Sequence, residues 1–267
     1  MEIVKVSPSA YQLTDRASSL NTGVVVTDDG VVLIDTGASS EMAERIQARV
    51  REITDRPIVY AINTHFHAQH TMGNRTFPVA VIGHRDCYER MCQMRQIREP
   101  DFHKVCGGRG VQEEIVPPTV RFDRDGYLYI GGLLIGLTHC PGHTDGSIVV
   151  HIPSERVLFA SDNLCVEGCP VLDGGDPARW MESLVRMQCM GATTLVPGRG
   201  RLGRADDLQS MYLYFESLFS TAARLHRQGL SGEELASSDQ MLRLTDCCEL
   251  TVHRENIHQV IKSLENH

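Results

Sequence analysis

The sequence lacks the features that mark a nucleic-acid-binding or membrane-spanning protein. Its 267 residues include 26 Lys plus Arg against 34 Asp plus Glu, which gives a formal net charge of -8 at pH 7. No surplus of positive charge is available to attract nucleic acid or an anionic membrane. No stretch approaches the ~18 apolar residues that a membrane span needs. We therefore expect a small-molecule substrate, with neither nucleic acid nor a membrane as partner.

The cysteines also lack a recognisable metal-binding or disulfide pattern. There are nine, an odd number, and none forms a CxxC pair. Cys165 and Cys169 are four positions apart, and we expect both to be free thiols. The first residues, MEIVKVSPSAYQL, show no basic start followed by an apolar run, so no signal peptide is expected. Mostly reduced thiols then indicate a cytoplasmic protein.

The chain alternates short β-branched runs with helical patterns, without an internal repeat. The runs at 22–27 and 30–37 predict a hairpin, and Met42, Ile46 and Val50 have the spacing of a helix that begins after a serine. A second strand-rich block, at 119–161, is also followed by helical material. Two β-rich layers with helices outside suit this order. Beyond about residue 204 the pattern is mostly helical, and a homodimer is possible.

The stretch THFHAQH holds the densest concentration of imidazoles in the chain. His65 and His67 directly follow a predicted strand, and residues two apart in extended backbone point to the same side. His70 joins them if the chain turns into a helix. Three histidines in six positions at a strand end predict a metal site.

Two further residues follow other predicted strands. His143 comes after a Pro-Gly turn, and Asp162 stands at the mouth of an apolar strand, where a carboxylate is costly unless it is paired or bound to a cation. His143 alone is more typical of a structural histidine, and the first cluster is what makes it a candidate ligand. Three imidazoles completed by water or Asp162 form the open geometry of catalytic zinc.

The motifs resemble, in order, those of the metallo-β-lactamase superfamily over about residues 10–200. The matching stretches are VVLIDTG, NTHFHAQHTMGN, PGHTDGS, VLFASDNL and LVPGRG. The resemblance implies a four-layer αβ/βα sandwich with metals at the edge where the two sheets meet. Residues 1–203 then form the metallo-β-lactamase-like domain, and 204–267 a C-terminal helical part of the same domain.

Carried over position by position, the resemblance assigns metal-site roles to these residues. His65, His67 and His143 match the ligands of the first metal, and Asp162 matches the residue that bridges or supports the second. His70 matches a ligand of the second metal. Asp35 matches an aspartate that orients the loop from behind the ligands.

Two departures from the family pattern both affect the second metal. Gln69 stands where the family has aspartate, and Arg199 stands where it has the last histidine of its PGHG motif. A guanidinium cannot be deprotonated, so it repels a metal ion. A remnant of the second site, Gln69 and His70, is left. Arg199 either occupies the vacated position, paired with Asp162 or an anionic substrate group, or faces solvent.

These residues predict a metal-dependent hydrolase of an ester, thioester, lactone or amide. One zinc per chain activates water, Asp162 is the candidate base, and the metal, with Arg199, holds the oxyanion. Iron is possible, since His65, His143 and Asp162 also match a two-His-one-carboxylate triad. That triad resembles the iron site of persulfide dioxygenases, although those keep the aspartate that Gln69 replaces. A third possibility is a catalytically weak binding or accessory protein.

Overall fold

The computed structural model describes residues 1–97, 115–172, 174–244 and 250–265, and within them the strands form two sheets. The strands of the first sheet lie side by side in sequence order: β1 (Glu2–Lys5), β2 (Ala10–Thr14), β3 (Asn21–Thr27), β4 (Gly30–Ile34), β5 (Ile58–Ile62), β6 (Ala80–His84) and β7 (Val120–Phe122). Strands β1 to β4 pair antiparallel, and β4 to β7 pair parallel.

The second sheet is built from the later strands, again in sequence order: β8 (Gly126–Ile130), β9 (Leu133–His139), β10 (Ile148–Ile152), β11 (Val157–Ser161) and β12 (Thr194–Pro197). All pairs are antiparallel except β11 with β12. The helices are α1 (Ser40–Ile53), α2 (Ala68–Thr71), α3 (Arg85–Met94), α4 (Pro177–Cys189), α5 (Ala205–Arg227), α6 (Gly232–Ala236), α7 (Asp239–Leu242) and α8 (Leu250–Glu265). No helix of the described residues has the length and apolarity to cross a bilayer.

Local sequence explains where α1 and α4, two of the helices that flank the sheets, begin. Ser39 accepts a hydrogen bond from Met42 N at 3.1 Å and caps α1. Asp176 accepts from the first backbone N–H groups of α4, and Pro177 follows it in the first turn. Such residues satisfy helix-end donors and favour these starting points.

Three apolar clusters place the layers in order. The cluster between the sheets includes Ile62, Ile148 and Phe159, all buried. Helix α1 packs on the outer face of the first sheet through Met42 and Ile46. Helices α4 to α8 share one cluster with the outer face of the second sheet. The chain is therefore an αβ/βα sandwich, as the motif order predicted.

Two details differ from the sequence expectations. Strands β1 and β2 were not predicted, because each is a short segment whose conformation is fixed by pairing with its neighbour in the sheet. Cys169 is disulfide-bonded, so the expectation of a free thiol there was wrong, whereas Cys165 is free.

Gly73 allows the turn after α2 to pack against the segment that follows β4. A Cβ at this position would lie 2.1 Å from Thr36 O and 2.9 Å from Ala43 Cβ. Gly73→Ala is therefore expected to lower the free energy of unfolding by about 1–3 kcal/mol, as overpacking does. Chemical denaturation measures the change.

Gly126→Ala is the matched control, because a Cβ there meets nothing within 4 Å. A Gly73→Ala protein as stable as the control would show that the backbone approach is not as close as described.

Candidate metal centre

The candidate ligands all lie just beyond the ends of strands, at one edge of the sandwich. His65 and His67 follow β5, His143 lies in the turn between β9 and β10, and Asp162 follows β11. Asp35 follows β4. The strands thus bring together residues that are far apart in the sequence.

Two residues at this edge of the sandwich have a backbone conformation that is rare for residues other than glycine. Asp35 has φ of 63° and Ser161 has φ of 48°, in the left-handed region that residues other than glycine seldom adopt. Such conformations persist only where surrounding contacts enforce them, and they concentrate at functional sites. Here Ser161 Oγ donates to Asp35 Oδ2 at 3.1 Å, so the two residues enforce each other.

Four side chains converge on one point. Single ligand atoms of His65, His67, His143 and Asp162 lie within 4.8 Å of one another. His67 Nδ1 and His143 Nε2 are 3.0 Å apart. In a tetrahedral site with bonds of about 2.0–2.1 Å, ligand nitrogens lie about 3.3 Å apart. The spacing is therefore close to that of a metal site.

The hydrogen bonds of His65 leave one nitrogen facing this point. Thr64 Oγ1 lies 3.0 Å from His65 Nδ1 and 2.8 Å from Asp35 Oδ2. Because the hydroxyl donates to the carboxylate, it accepts from Nδ1–H, which leaves a lone pair on Nε2. That Nε2 is buried without a hydrogen-bond partner, 3.8 Å from Asp162 Oδ2. A buried lone pair without a partner is what a metal ion would satisfy.

The electrostatics keep three of the imidazoles neutral. Burial, together with neighbouring imidazoles, holds the pKa of His65 well below its usual value, and the same causes lower the pKa of His67 to about 3. Burial also lowers the pKa of His143. Burial raises the pKa of Asp162, but the adjacent histidines, His70 first, hold it well below the usual value. Neutral imidazoles and an ionised carboxylate are the forms that bind metal.

Asp35 connects the pieces of the site from behind. Its Oδ1 accepts from Thr64 N at 2.8 Å, and its Oδ2 lies 2.9 Å from His70 Nδ1. The carboxylate is buried, with 4% of the side chain exposed. Sequence reasoning gave Asp35 this orienting role but missed its partners Thr64 and Ser161. Each directly precedes a candidate ligand, His65 or Asp162, which was the only signal that the sequence offered.

The remnant of the second site holds His70 between two carboxylates. Its Nε2 is 3.2 Å from Asp162 Oδ2, while Nδ1 faces Asp35. Burial lowers the pKa of His70, but the charges of Asp162 and Asp35 outweigh it and raise the pKa to about 10. Gln69 is half-buried on α2, with no hydrogen bond from its side chain to any described residue.

The structure does not bring Arg199 into contact with Asp162. The guanidinium is exposed and donates to Ser18 O at 3.4 Å, and it forms no ion pair with the described residues. Its neighbour Gly198 lies close to Asp162, since a Cβ there would be 1.9 Å from Asp162 Oδ1. Of the two positions expected for Arg199, this geometry matches the solvent-facing one.

A third group of possible ligands, His84, Asp86 and His139, lies outside the predicted site. The two imidazoles are stacked with centroids 4.0 Å apart. His84 Nδ1 accepts from Asp86 N, and its Nε2 lies 3.3 Å from Asp123 O. Because these nitrogens already have backbone partners, this group is less suited to a metal than the first.

A cavity of about 840 Å³ opens beside the site. Its lining includes His67 and His143 together with Phe66, Arg90 and Arg179. The cavity therefore connects two candidate ligands with space for a small molecule.

The family model of the metallo-beta-lactamase superfamily matches residues 16–199. The chain therefore belongs to this superfamily, whose members typically bind a divalent metal. The match covers the strands that carry the candidate ligands and ends at Arg199, before α5.

Curated relatives include enzymes with different names. A linear primary-alkylsulfatase from Pseudomonas sp. is 21% identical over 281 residues, covering 90% of this chain and 47% of the relative. The lactamase-like protein aptB from Emericella nidulans is 27% identical over 194 residues, and the aligned region covers 72% of this chain and 54% of aptB. A hydroxyacylglutathione hydrolase from Bartonella quintana is 29% identical over 113 residues, which cover 42% of this chain and 44% of the relative. This chain spans about half the length of these relatives.

Solved structures agree on the fold. A metallo-beta-lactamase from Pontibacter korlensis superposes with a TM-score of 0.65 at 21% identity, covering 79% of this chain and 98% of that one. The inverting sec-alkylsulfatase Pisa1 from Pseudomonas sp. gives a TM-score of 0.75 at 17% identity, covering 96% and 49%. The second likeness extends through most of the C-terminal helices.

Asp35→Asn tests the connection behind the ligands. An amide NH₂ in place of a carboxylate oxygen faces donors that then lack an acceptor, so we expect the free energy of unfolding to fall by roughly 2–3 kcal/mol. Denaturant titration of the metal-free protein measures this.

The control is Asp28→Asn, at an exposed carboxylate paired with Arg56, where a change within about 0.5 kcal/mol is expected. Equal stability of the two variants would contradict a central role for Asp35.

Proposed function

We propose that this protein is a hydrolase that uses one zinc ion held by His65, His67 and His143, with Asp162 beside it. The observation that carries the proposal is the buried, unpartnered Nε2 of His65, which faces the space shared by the other two imidazoles and the carboxylate. Burying such a lone pair without a partner is unfavourable. A cation at this point removes that cost.

The donor set fits zinc better than iron. His67 Nδ1 lies 3.0 Å from His143 Nε2, so three imidazoles converge rather than two. Three histidines with an open fourth position are typical of catalytic zinc, whereas non-haem iron favours two histidines and one carboxylate. The dioxygenase alternative would leave His67 without a function, so the three imidazoles favour zinc.

Bound there, zinc would acidify a water molecule to a pKa of about 7 and polarise a carbonyl oxygen. Asp162 is the proposed base, because its carboxylate is held ionised and lies 3.8 Å from both His65 Nε2 and His143 Nε2. Gln69 can orient a water molecule but cannot take its proton. Thr64 and Asp35 hold His65 and His70 in fixed orientations.

The position that holds the second metal in the family pattern lacks sufficient ligands in this chain. Only His70 and Asp162 remain there, and His70 Nδ1 is already engaged with Asp35. Gln69 supplies a neutral amide. The Arg199 guanidinium donates to Ser18 O and makes no described ion pair with Asp162, although its positive charge adds to the effect of burial in lowering the pKa of His67 and of His143. We therefore propose one metal per chain, with Arg199 contributing to the oxyanion only if a bound substrate draws its side chain inward.

The proposed substrate is a small ester, thioester, lactone or amide. The cavity of about 840 Å³ beside His67 and His143 accommodates a molecule of this kind. Relatives named as hydroxyacylglutathione hydrolase and alkylsulfatase support hydrolysis as the reaction class. The cytoplasmic location and the homodimer stay predictions.

His67→Ala is expected to remove the metal while leaving the sandwich folded, since His67 is half-buried and contributes little to the core. The zinc content measured by metal analysis should fall from about one ion per chain to nearly none. Hydrolysis of a panel of model esters, thioesters and lactones should be lost. Circular dichroism checks the fold.

His258→Ala, at an exposed histidine of α8, serves as control and should keep both metal and activity. A His67→Ala protein that retains one zinc would refute the ligand set. Wild-type protein that binds zinc but hydrolyses none of the panel would instead favour the binding or accessory alternative.

A second variant tests why only one metal is proposed. Gln69→Asp combined with Arg199→His restores the two ligands of the family pattern, so zinc content should rise from about one to about two per chain. Gln69→Asn with Arg199→Lys keeps the amide and the positive charge, and it should stay at one. If the first double variant also stays at one, these positions do not decide occupancy.

A further inference from the structure

The turn that carries His143 lies directly against helix α4 at Trp180. Gly142, with φ of 146°, leaves so little room that a Cβ there would lie 2.4 Å from both Trp180 Cα and Trp180 Cβ. Three residues further along α4, Ser183 Oγ donates to Pro141 O at 2.6 Å. Because residues three apart share a face of a helix, one face of α4 holds the backbone that leads into His143.

The indole N–H of Trp180 reaches the turn that carries Asp162. Trp180 Nε1 donates to Asn163 O at 3.0 Å. Asn163 directly follows Asp162, in a turn closed by the hydrogen bond from Asn163 N to Ala160 O at 3.1 Å. Trp180 is 0% exposed, so water does not take the place of its N–H group. Because a buried carbonyl without a donor is unfavourable, this bond holds the Asp162 turn against the indole.

The ring of His143 depends on packing for its orientation. Its Nδ1 is buried without a hydrogen-bond partner among the described residues, while its Nε2 faces His67 Nδ1 at 3.0 Å. A metal-binding histidine usually has its second nitrogen fixed by a hydrogen bond. Here the Trp180 ring lies beside the imidazole instead, with centroids 5.3 Å apart and planes at 59°, which is within the range of attractive aromatic contacts. The other described rings in contact with His143 are the candidate ligands His65 and His67.

Trp180 itself is fixed by the surrounding fold. Its ring contacts that of Phe215 on α5, with centroids 5.4 Å apart. Its backbone N–H donates to Asp176 O at 2.9 Å, and Asp176 N donates in turn to Gly142 O at 2.8 Å. The first turn of α4 is thus bonded to the His143 turn, so the indole has a defined position between the two turns that it contacts.

We propose that Trp180 is a positioning residue for the metal centre: its N–H group fixes the turn that holds Asp162, and its ring fixes the orientation of His143. One side chain of α4 thus sets how two candidate ligands, with His143 Nε2 and Asp162 Oδ2 3.8 Å apart, face the same ion. This inference rests on the proposed function, since it requires that the centre holds a metal. It gives the indole N–H a role that core packing does not require.

Two altered forms of the full chain test the role of Trp180. It is the single tryptophan of the chain, so an analogue supplied during expression replaces it at one position only. The benzothienyl analogue, in which sulfur replaces the indole N–H, keeps the ring and loses the bond to Asn163 O. Trp180→Leu loses both the bond and the ring contact. The control is Leu184→Ala, which removes apolar packing from the same helix at a residue that is 0% exposed and leaves the indole intact.

We expect the protein with the analogue to bind zinc about tenfold more weakly in chelator competition, and Trp180→Leu up to about a hundredfold more weakly, as for residues behind metal ligands. In both cobalt-substituted forms the visible absorption bands should shift, because they report ligand geometry. Leu184→Ala should lose thermal stability while its zinc affinity and cobalt spectrum stay at wild-type values.

Zinc affinity and cobalt bands of the analogue protein that match those of the wild type would overturn the inference and leave the proposed function intact. The same follows if Leu184→Ala weakens zinc as much as Trp180→Leu does. Wild-type protein that binds neither zinc nor cobalt would overturn the proposed function itself. If Trp180→Leu does not fold, the analogue, which has nearly the shape of tryptophan, gives the answer.

Discussion

The candidate site depends on one buried carboxylate, that of Asp35. Removing an ionised carboxylate from water is costly. The cost is offset here by hydrogen bonds from Thr64, which follows β5, from Ser161 at the end of β11, and from His70 on α2. Through Thr64 it orients His65, and through Ser161 it fixes the turn that leads into Asp162. Asp35 and Ser161 keep their left-handed backbone conformation because these hydrogen bonds hold both residues in place.

The charges at the edge explain why one metal is a reasonable occupant. Three neutral imidazoles and the ionised Asp162 provide a cation site with a single negative charge. In the position next to it, two carboxylates already enclose His70, and the substitution at Gln69 supplies no further charge. The Arg199 guanidinium donates to Ser18 O rather than to Asp162, and its charge adds to the effect of burial in lowering the pKa of His67 and of His143.

Much of this arrangement followed from sequence pattern, because the informative signals are local. The order of strands and helices, the cap at Ser39 and the convergence of His65 with His67 after β5 depend on residues close together in the chain. Strands β1 and β2 were missed because pairing across the sheet, not local pattern, defines them. The side chain of Arg199 has several rotatable bonds, and no sequence pattern decides which way it extends.

The contacts that connect the site to the rest of the molecule were also invisible in the sequence. Ser161 reaches Asp35 across 126 positions, and Ser183 reaches Pro141 across 42. Serine is common, and its positions in the sequence carry no mark of these partners. The likeness to Pisa1 covers 96% of the chain, so the C-terminal helices are part of an architecture found outside this protein as well.

The most direct test of the account is anomalous X-ray diffraction from crystals grown with zinc, recorded on both sides of the zinc absorption edge. The account predicts a single zinc peak per chain, bonded to one nitrogen each of His65, His67 and His143. Two peaks at full occupancy near Asp162, or a peak only at His84, Asp86 and His139, would contradict it.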